Sequence, residues 1–388
     1  MNAQVESAGG EWTAREIAQQ PVVWPQIATL VSRERGRLDS FLAPLLANAR
    51  LRIVLSGAGT SSHIGGVLAP ALSRHLHRRV DMVATTDLVS GPALYLQRDV
   101  PTLLVSFARS GSSPESVAAV EIAERALDDV HHLVVTCNAA GALAARMSKA
   151  GNACVLVLPE ATHDRAFAMT SSFTGMVLAA ALSFGLIRSD RVQRLATACA
   201  GLLPIAGTLA QELSARRFER AVFLGSNELQ SLAAESALKM LELTDGNTVA
   251  VSQSVLGFRH GPKTVVNGKT LIVVFVSNDA YTRSYDLDLI RELIADARNG
   301  ALVVVGARDA RGAIPGGSKL LEIGDLHGAS DVELALVAVV FAQVLALRQS
   351  LQFGLTPDNP NASGVVSRVV QGVIIHPWTP GGGDVPGS

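Results

Sequence analysis

The sequence predicts an α/β protein, two tandem doubly wound parallel-sheet domains behind an N-terminal helical leader. Uninterrupted apolar runs of strand length alternate with amphipathic helical patterns, which is how a parallel sheet covered on both faces reads in sequence. The pattern then starts again. LSGAGTSSH, LLVSFARSGSSPE and LVVTCNA in the first half are echoed by FLGSNELQS, IVVFVSNDAYTRS and LVVVGAR in the second, a weak internal duplication. A length of 388 residues accommodates this, at roughly 100–200 residues per domain.

The leader, residues 1–45, reads as helical from Glu11 to Leu46, with Ile17, Ile27, Leu30, Val31, Leu38 and Leu42 at loose helical spacing and Pro21 and Pro25 as breaks. The first domain, residues 46–200, opens on a strand at Leu51–Leu55, a glycine loop at Ser56–Gly59 and a helix from Ser62 to about His77. Strands follow at Val80–Ala84, Pro101–Phe107, Leu133–Cys137 and Cys154–Leu158, with helices near Pro114–Leu127, Ala139–Lys149 and Thr170–Phe184. The halves join between Ser189 and Arg217. In the second domain, residues 210–378, strands at Ala221–Leu224, Leu271–Val276 and Leu302–Val305 accompany a helix at Glu228–Leu243. The Gly/Pro-rich end, 379–388, is expected to be mobile.

Composition excludes several classes. Only 17% of residues are charged, against about 25% in an average soluble chain, so part of the surface is expected to be an interface. Thirty-three Lys and Arg face thirty-four Asp and Glu, which leaves no basic excess for a phosphate backbone or an anionic bilayer. Neither nucleic acid nor membrane is an expected partner. The three cysteines, Cys137, Cys154 and Cys199, form neither a disulfide framework nor a thiolate metal site. Glu6, Glu11, Arg15 and Glu16 stand where a signal peptide would need an apolar region. The longest apolar stretch, Leu334–Leu347, contains Gln343 and falls short of the roughly 20 residues of a membrane span. The expected setting is the cytoplasm.

Two loops of the first half are rich in hydroxyls: Gly57-Ala58-Gly59-Thr60-Ser61-Ser62 and Arg109-Ser110-Gly111-Ser112-Ser113-Pro114-Glu115. Each follows a strand and opens a helix, at the carboxyl edge where open α/β sheets bind ligands. Helix N-termini, close backbone approach at glycine and hydroxyl donors together make a phosphate cradle. The alternative is that these hydroxyls are only N-caps. No Walker A or GxGxxG pattern and no HExxH or Cys/His cluster is present, so a sugar phosphate is expected as substrate, with no cofactor and no metal.

The second half supplies acid–base groups instead. Glu235, Lys239 and Glu242 are spaced i, i+4, i+7 and share one helix face; a solvated surface ladder is the plainer alternative. His260 lies in a glycine-bracketed loop, Gly257-Phe258-Arg259-His260-Gly261-Pro262-Lys263, and imidazole titrates near neutrality, as proton transfer requires. His75, His77, His131 and His132 have no such context and are expected at the surface.

These residues resemble the sugar isomerase (SIS) domain superfamily in its double-domain form. Gly57–Ser61 and Ser110–Ser113 are similar to its phosphosugar loops, and Ala237–Glu242 with Arg259–Pro262 to the catalytic helix and histidine loop of the isomerase half of glucosamine-6-phosphate synthase. SFARSGSSPESVAAV, AFAMTSSFT, LGFRHGPK and TPDNPNASGVVSRVVQGVIIHP resemble more closely the galactosamine-6-phosphate deaminase/isomerase family, also called tagatose-6-phosphate ketose/aldose isomerases. The likeness runs from Leu46 to Pro377.

The resemblance implies that Thr60, Ser61, Arg109, Ser110 and Ser113 hold a 6-phosphate, with Arg109 where the synthase has glutamine. It implies further that Glu242 moves the C1/C2 proton, His260 assists ring opening, and Glu235 and Lys239 line the same pocket. In the synthase the histidine comes from the neighbouring subunit, so a homodimer or larger homo-oligomer with shared active sites is expected. The synthase's C-terminal lysine has no counterpart in Asn359-Pro360-Asn361-Ala362-Ser363-Gly364-Val365, so its Schiff-base role does not carry over. Its glutaminase domain is also missing, which favours ammonia release over synthesis. The expected reaction is galactosamine 6-phosphate to tagatose 6-phosphate and ammonia, with plain aldose–ketose isomerisation and a non-catalytic phosphosugar-binding regulator as alternatives.

Overall fold

Three helices lead the chain in a computed structural model that describes residues 8–380 except 327, 362, 369 and 371, and leaves out the side chains of 309–311. The expected mobile tail lies outside the described residues beyond Pro380. The leader helices are α1 (Glu11–Ala18), α2 (Gln20–Arg33) and α3 (Arg35–Ala47). Pro21 begins α2 rather than breaking it, because proline's missing N–H costs nothing in a first helical turn. Pro25 sits inside the same helix.

The first sheet contains β1 (Arg52–Ser56), β2 (Val80–Met82), β3 (Thr102–Ala108), β4 (Val130–Thr136) and β5 (Ala153–Val157). Its order is β2-β1-β3-β4-β5 and every pairing is parallel. The helices that accompany it are α4 (Thr60–Leu76), α5 (Thr85–Ser90), α6 (Pro92–Tyr95), α7 (Pro114–Ala126), α8 (Ala142–Met147) and α9 (Ser171–Ser183). The stretch expected to hold the junction is a 23-residue helix, α10 (Val192–Ser214), whose Leu195, Cys199, Leu202, Ala206, Ala210 and Leu213 are buried.

The second sheet contains β6 (Arg220–Leu224), then, after α11 (Glu228–Leu243), β7 (Val249–Gln253), and, after α12 (Val255–Phe258), β8 (Thr270–Phe275). Helix α13 (Ala280–Asp296) leads to β9 (Ala301–Ala307) and β10 (Lys319–Ile323), and α14 (Asp331–Gln352) follows. Its order is β10-β9-β8-β6-β7, again all parallel. Numbered within each half, both sheets read 2-1-3-4-5, so the duplication seen in sequence is a duplication of topology. In such a sheet the ligand crevice opens between the first and third strands. Here those are β1 and β3 in one half, β6 and β8 in the other.

The apolar stretch of the second half is α14, buried along nearly its whole length and packed against α10 and α11. It helps fuse the two halves into one apolar cluster that includes Ile53 and Leu103 of the first sheet, Phe223 and Val273 of the second, and Phe341 of α14. A polar chain crosses this core: Trp24 donates to Thr174 at 3.1 Å, Thr174 to Gln20 at 2.7 Å, and Gln20 to Gln343 at 2.8 Å. Buried polar groups must be paired, so this chain fixes the leader's register on α9 and α14. One histidine departs from expectation. His132 is fully buried on β4, because that strand is covered on both faces, and neither ring nitrogen has a hydrogen-bond partner among the described residues.

Candidate functional site

The loop after β1 turns sharply. A Cβ on Gly57 would stand 2.6 Å from the Ser61 backbone, and Gly59 takes φ +55°. The second half repeats the turn, with Gly225 equally crowded by Leu229 and Asn227 at φ 53°, ψ −119° where Gly59 has φ 55°, ψ −126°. These turns launch α4 and α11, which pack on each other and bring residues of the two halves together.

At their contact lies a charged cluster. Glu235 and Lys239 are fully buried, and Glu242 keeps 24% of its side chain exposed. Lys239 Nζ donates to Thr60 Oγ1 at 2.9 Å, lies 3.5 Å from Glu235 and makes a close ion pair with Glu242. The Thr60 hydroxyl in turn donates to Glu235 Oε1 at 3.2 Å. The solvated-ladder alternative is therefore wrong for this helix. Burial pushes the Glu235 carboxyl up to about 8, against the pull of Lys239 and with help from the charge of Glu242. Burial works against the Lys239 charge too, but Glu235 and Glu242 outweigh it and hold the ammonium above its ordinary value. One lysine cannot fully neutralise two carboxylates, and Glu242 makes the closer contact.

The hydroxyl loops meet beside this cluster. Ser61, Arg109, Ser110, Ser113 and Ser116 line a cavity of about 110 Å³ that Arg368 and Val370 also border. Ser113 caps α7 through Ser116 N–H, so the N-cap reading holds for that residue, which nevertheless faces the cavity. Arg109 is buried. Its guanidinium donates to the carbonyls of Phe167 at 3.0 Å and Arg368 at 2.6 Å. Burial, and next the charge of Arg368, hold it below its ordinary value. The equivalent crevice of the second half, a cavity of about 450 Å³, is lined by Glu228, Asp279 and Asp331 with Arg74 as its one cation among the described residues. Three carboxylates repel a phosphate, so only the first half is built for an anion.

Of the nine residues expected at the site, eight converge: Thr60, Glu235, Lys239 and Glu242 in the cluster, Ser61, Arg109, Ser110 and Ser113 at the cavity. His260 does not join them. It is exposed, with its backbone N–H bonded to Gly257 and its ring unpartnered among the described residues. Lys263 is engaged by Glu292 and Asp296.

Sequence reasoning missed the supports. The C-terminal segment after α14 runs back over the first half, with Trp378 against that half's outer apolar cluster. Arg368 on this strap donates to the carbonyls of Ala166, at 3.2 Å, and Asp164. The carbonyl-bearing loop is itself held by buried carboxylates: Asp164 accepts from Thr170 and Ser172 N–H at 2.7 and 2.9 Å, and Glu16 of α1 accepts from Arg165 and Ala166 N–H. The signal for Arg368 was a lone cation in the valine-rich VVSRVV. His63, one turn after Thr60, was also missed; burial, then the nearby Lys239, push it down to about 4.

Comparison with known proteins agrees with this geometry. The SIS domain family matches residues 45–184. A Streptomyces coelicolor protein, provisionally named D-galactosamine-6-phosphate deaminase AgaS, is 52% identical over 94% of this chain and 95% of its own. The D-galactosamine-6-phosphate deaminase AgaS of Escherichia coli is 46% identical over 96% of this chain and 97% of its own. The crystal structure of an E. coli tagatose-6-phosphate ketose/aldose isomerase superposes with a TM-score of 0.88 at 43% identity, covering 95% of this chain and 96% of that one. At that identity and coverage, this chain belongs to the family of D-galactosamine-6-phosphate deaminases AgaS.

Proposed function

We propose that the protein converts galactosamine 6-phosphate and water to tagatose 6-phosphate and ammonia. The observation that carries this reading is Lys239, fully buried between Glu235 and Glu242 and hydrogen-bonded to Thr60 at the edge of the hydroxyl cradle. The cradle, with Thr60, Ser61, Arg109, Ser110 and Ser113, holds the 6-phosphate and so places C1 and C2 of the opened sugar toward Glu242. Glu242 removes the C2 proton, giving an enolamine, and returns a proton to C1. That leaves an imine at C2, which water hydrolyses to the ketone and ammonia. Positioning and a carboxylate base supply the acceleration, the base contributing about 10²–10⁴-fold.

Ring opening falls to His260 of a neighbouring protomer. Its exposure and a ring without a partner among the described residues of its own chain support a homodimer or larger assembly with shared sites. The reading takes the halves as two SIS-type domains, 46–200 and 210–378, behind the leader at 1–45. A cytoplasmic location suits three buried free cysteines.

Ammonia release from galactosamine 6-phosphate by the purified protein, without added metal or cofactor, is the test. Glucosamine 6-phosphate and the N-acetylated sugar run alongside, and release from the galacto amine alone is expected. The name of the E. coli structural relative favours one second reading, aldose–ketose isomerisation without loss of nitrogen. Silence on all the amino sugars, with tagatose 6-phosphate converting to galactose 6-phosphate, would establish that reading instead.

A further inference from the structure

We infer that Arg368, carried by the C-terminal strap, grips the same phosphate as Arg109 and completes the anion cradle; the inference rests on the phosphosugar reading above. Two observations carry it. The first is the placement of the guanidiniums. Both donate to one acceptor, the carbonyl of Ala166, Arg109 at 3.4 Å and Arg368 at 3.2 Å, so two positive charges stand side by side at a cavity of about 110 Å³ that both border. Like charges in such proximity repel unless something between them is negative.

The second is the lack of an ion pair at either guanidinium among the described residues, although the carboxyls of Asp164 and Glu242 are near enough to favour the charge of Arg109. Among the described residues neither arginine has a carboxylate within ion-pairing distance, and every partner that accepts from them is a neutral carbonyl, of Asp164, Ala166, Phe167 or Arg368 itself. These carbonyls orient the two forks without neutralising them. They occupy Nε and Nη2 of Arg368 and leave Nη1 without a partner among the described residues. A dianion meets both charges at once, and the planar fork of arginine suits phosphate oxygens better than any other side chain does. The hydroxyls of Ser61, Ser110 and Ser113 border the same space. Arg368 thereby makes the strap part of substrate recognition.

The test measures binding of inorganic phosphate to the full-length protein, with kcat and KM for galactosamine 6-phosphate, in the wild type and in Arg368→Gln and Arg368→Lys. Losing a charged hydrogen-bonding partner should weaken phosphate about 10- to 100-fold in Arg368→Gln and raise KM with little change in kcat. Arg368→Lys, which keeps the charge and loses the fork, should recover part of the affinity. Phosphate binding as tight in both variants as in the wild type would overturn the inference. So would a fall in kcat at unchanged KM, which would reduce Arg368 to a support for the strap. A wild-type protein indifferent to phosphate would instead remove the phosphosugar reading itself.

Discussion

Asp358 caps a helix that begins near the opposite end of the chain. Its carboxylate accepts the backbone N–H of Trp12 at 3.0 Å, and the N–H and hydroxyl of Thr13 at 2.7 Å each. Helix α1 has no capping side chain of its own at Gly10, so this distant carboxylate satisfies its free donors and complements its dipole. The backbone of Asp358 also bonds Gly9 and Phe167, joining leader, strap and the loop beneath Arg109.

Asp358→Ala should therefore do two things. Stability should fall by about 0.5–2 kcal/mol, the usual range for a lost N-cap, measured as a shift in urea midpoint. KM for the phosphosugar should rise as the strap loosens, and an unchanged KM would show that the strap holds its place without this bond.

Glu242→Gln should keep substrate binding and lose about 10²–10⁴-fold in turnover, the range for a general base. Retention of more than about a tenth of the rate would remove Glu242 from that role.

Asn227 occupies backbone space that Gly59 uses freely. Asn227→Gly should stabilise the protein by about 1 kcal/mol, the low end of the strain carried by such conformations. A lower melting temperature would mean that the Asn227 side chain contributes more than its backbone loses.

Burial drives the His132 imidazole down to about 4 from 6.5. Between those values the unfolded chain binds a proton that the folded protein refuses, so the stability from this group is complete above pH 6.5 and is lost as pH falls toward 4. The loss is on the order of 3 kcal/mol at 1.36 kcal/mol per unit. His132→Leu should flatten that acid limb in urea titrations from pH 7 to 4; an identical limb would assign it to other groups, His63 first.

The sequence made some elements legible and hid others for physical reasons. The units β1–α4 and β3–α7 stand out because a central parallel strand is apolar on both faces and its loop is contiguous with it. The edge strands β7 and β10 escaped: Val249 and Val251 of β7 are exposed, and polar Ser252, Gln253, Lys319 and Glu322 interrupt the apolar runs. Helix α10 read as a junction because Gly201, Pro204 and Gly207 mask its buried stripe. Glu235, Lys239 and Glu242 were readable together because one helix carries all three. Arg368 and Asp164 were not, since their meeting depends on the path of a strap without periodicity and on a loop with no regular structure.

The central helix α14 has a consequence for how the protein is made. It is the last helix among the described residues, yet it packs against α1 of the leader and α4 and α9 of the first half, and most extensively against α10 and α11. On the ribosome α10 finishes at Ser214, but its principal apolar partner, α14, is complete only at Gln352. At about 5–20 residues per second, that interval lasts on the order of ten to thirty seconds. Through it the buried stripe of α10, Leu195, Cys199, Leu202, Ala206, Ala210 and Leu213, lacks its main cover. Nascent chains arrested before α14 should be cleaved by protease within α10, and chains released after it should resist. The duplication thus left two copies of one topology that share a single core and must wait for each other to complete it.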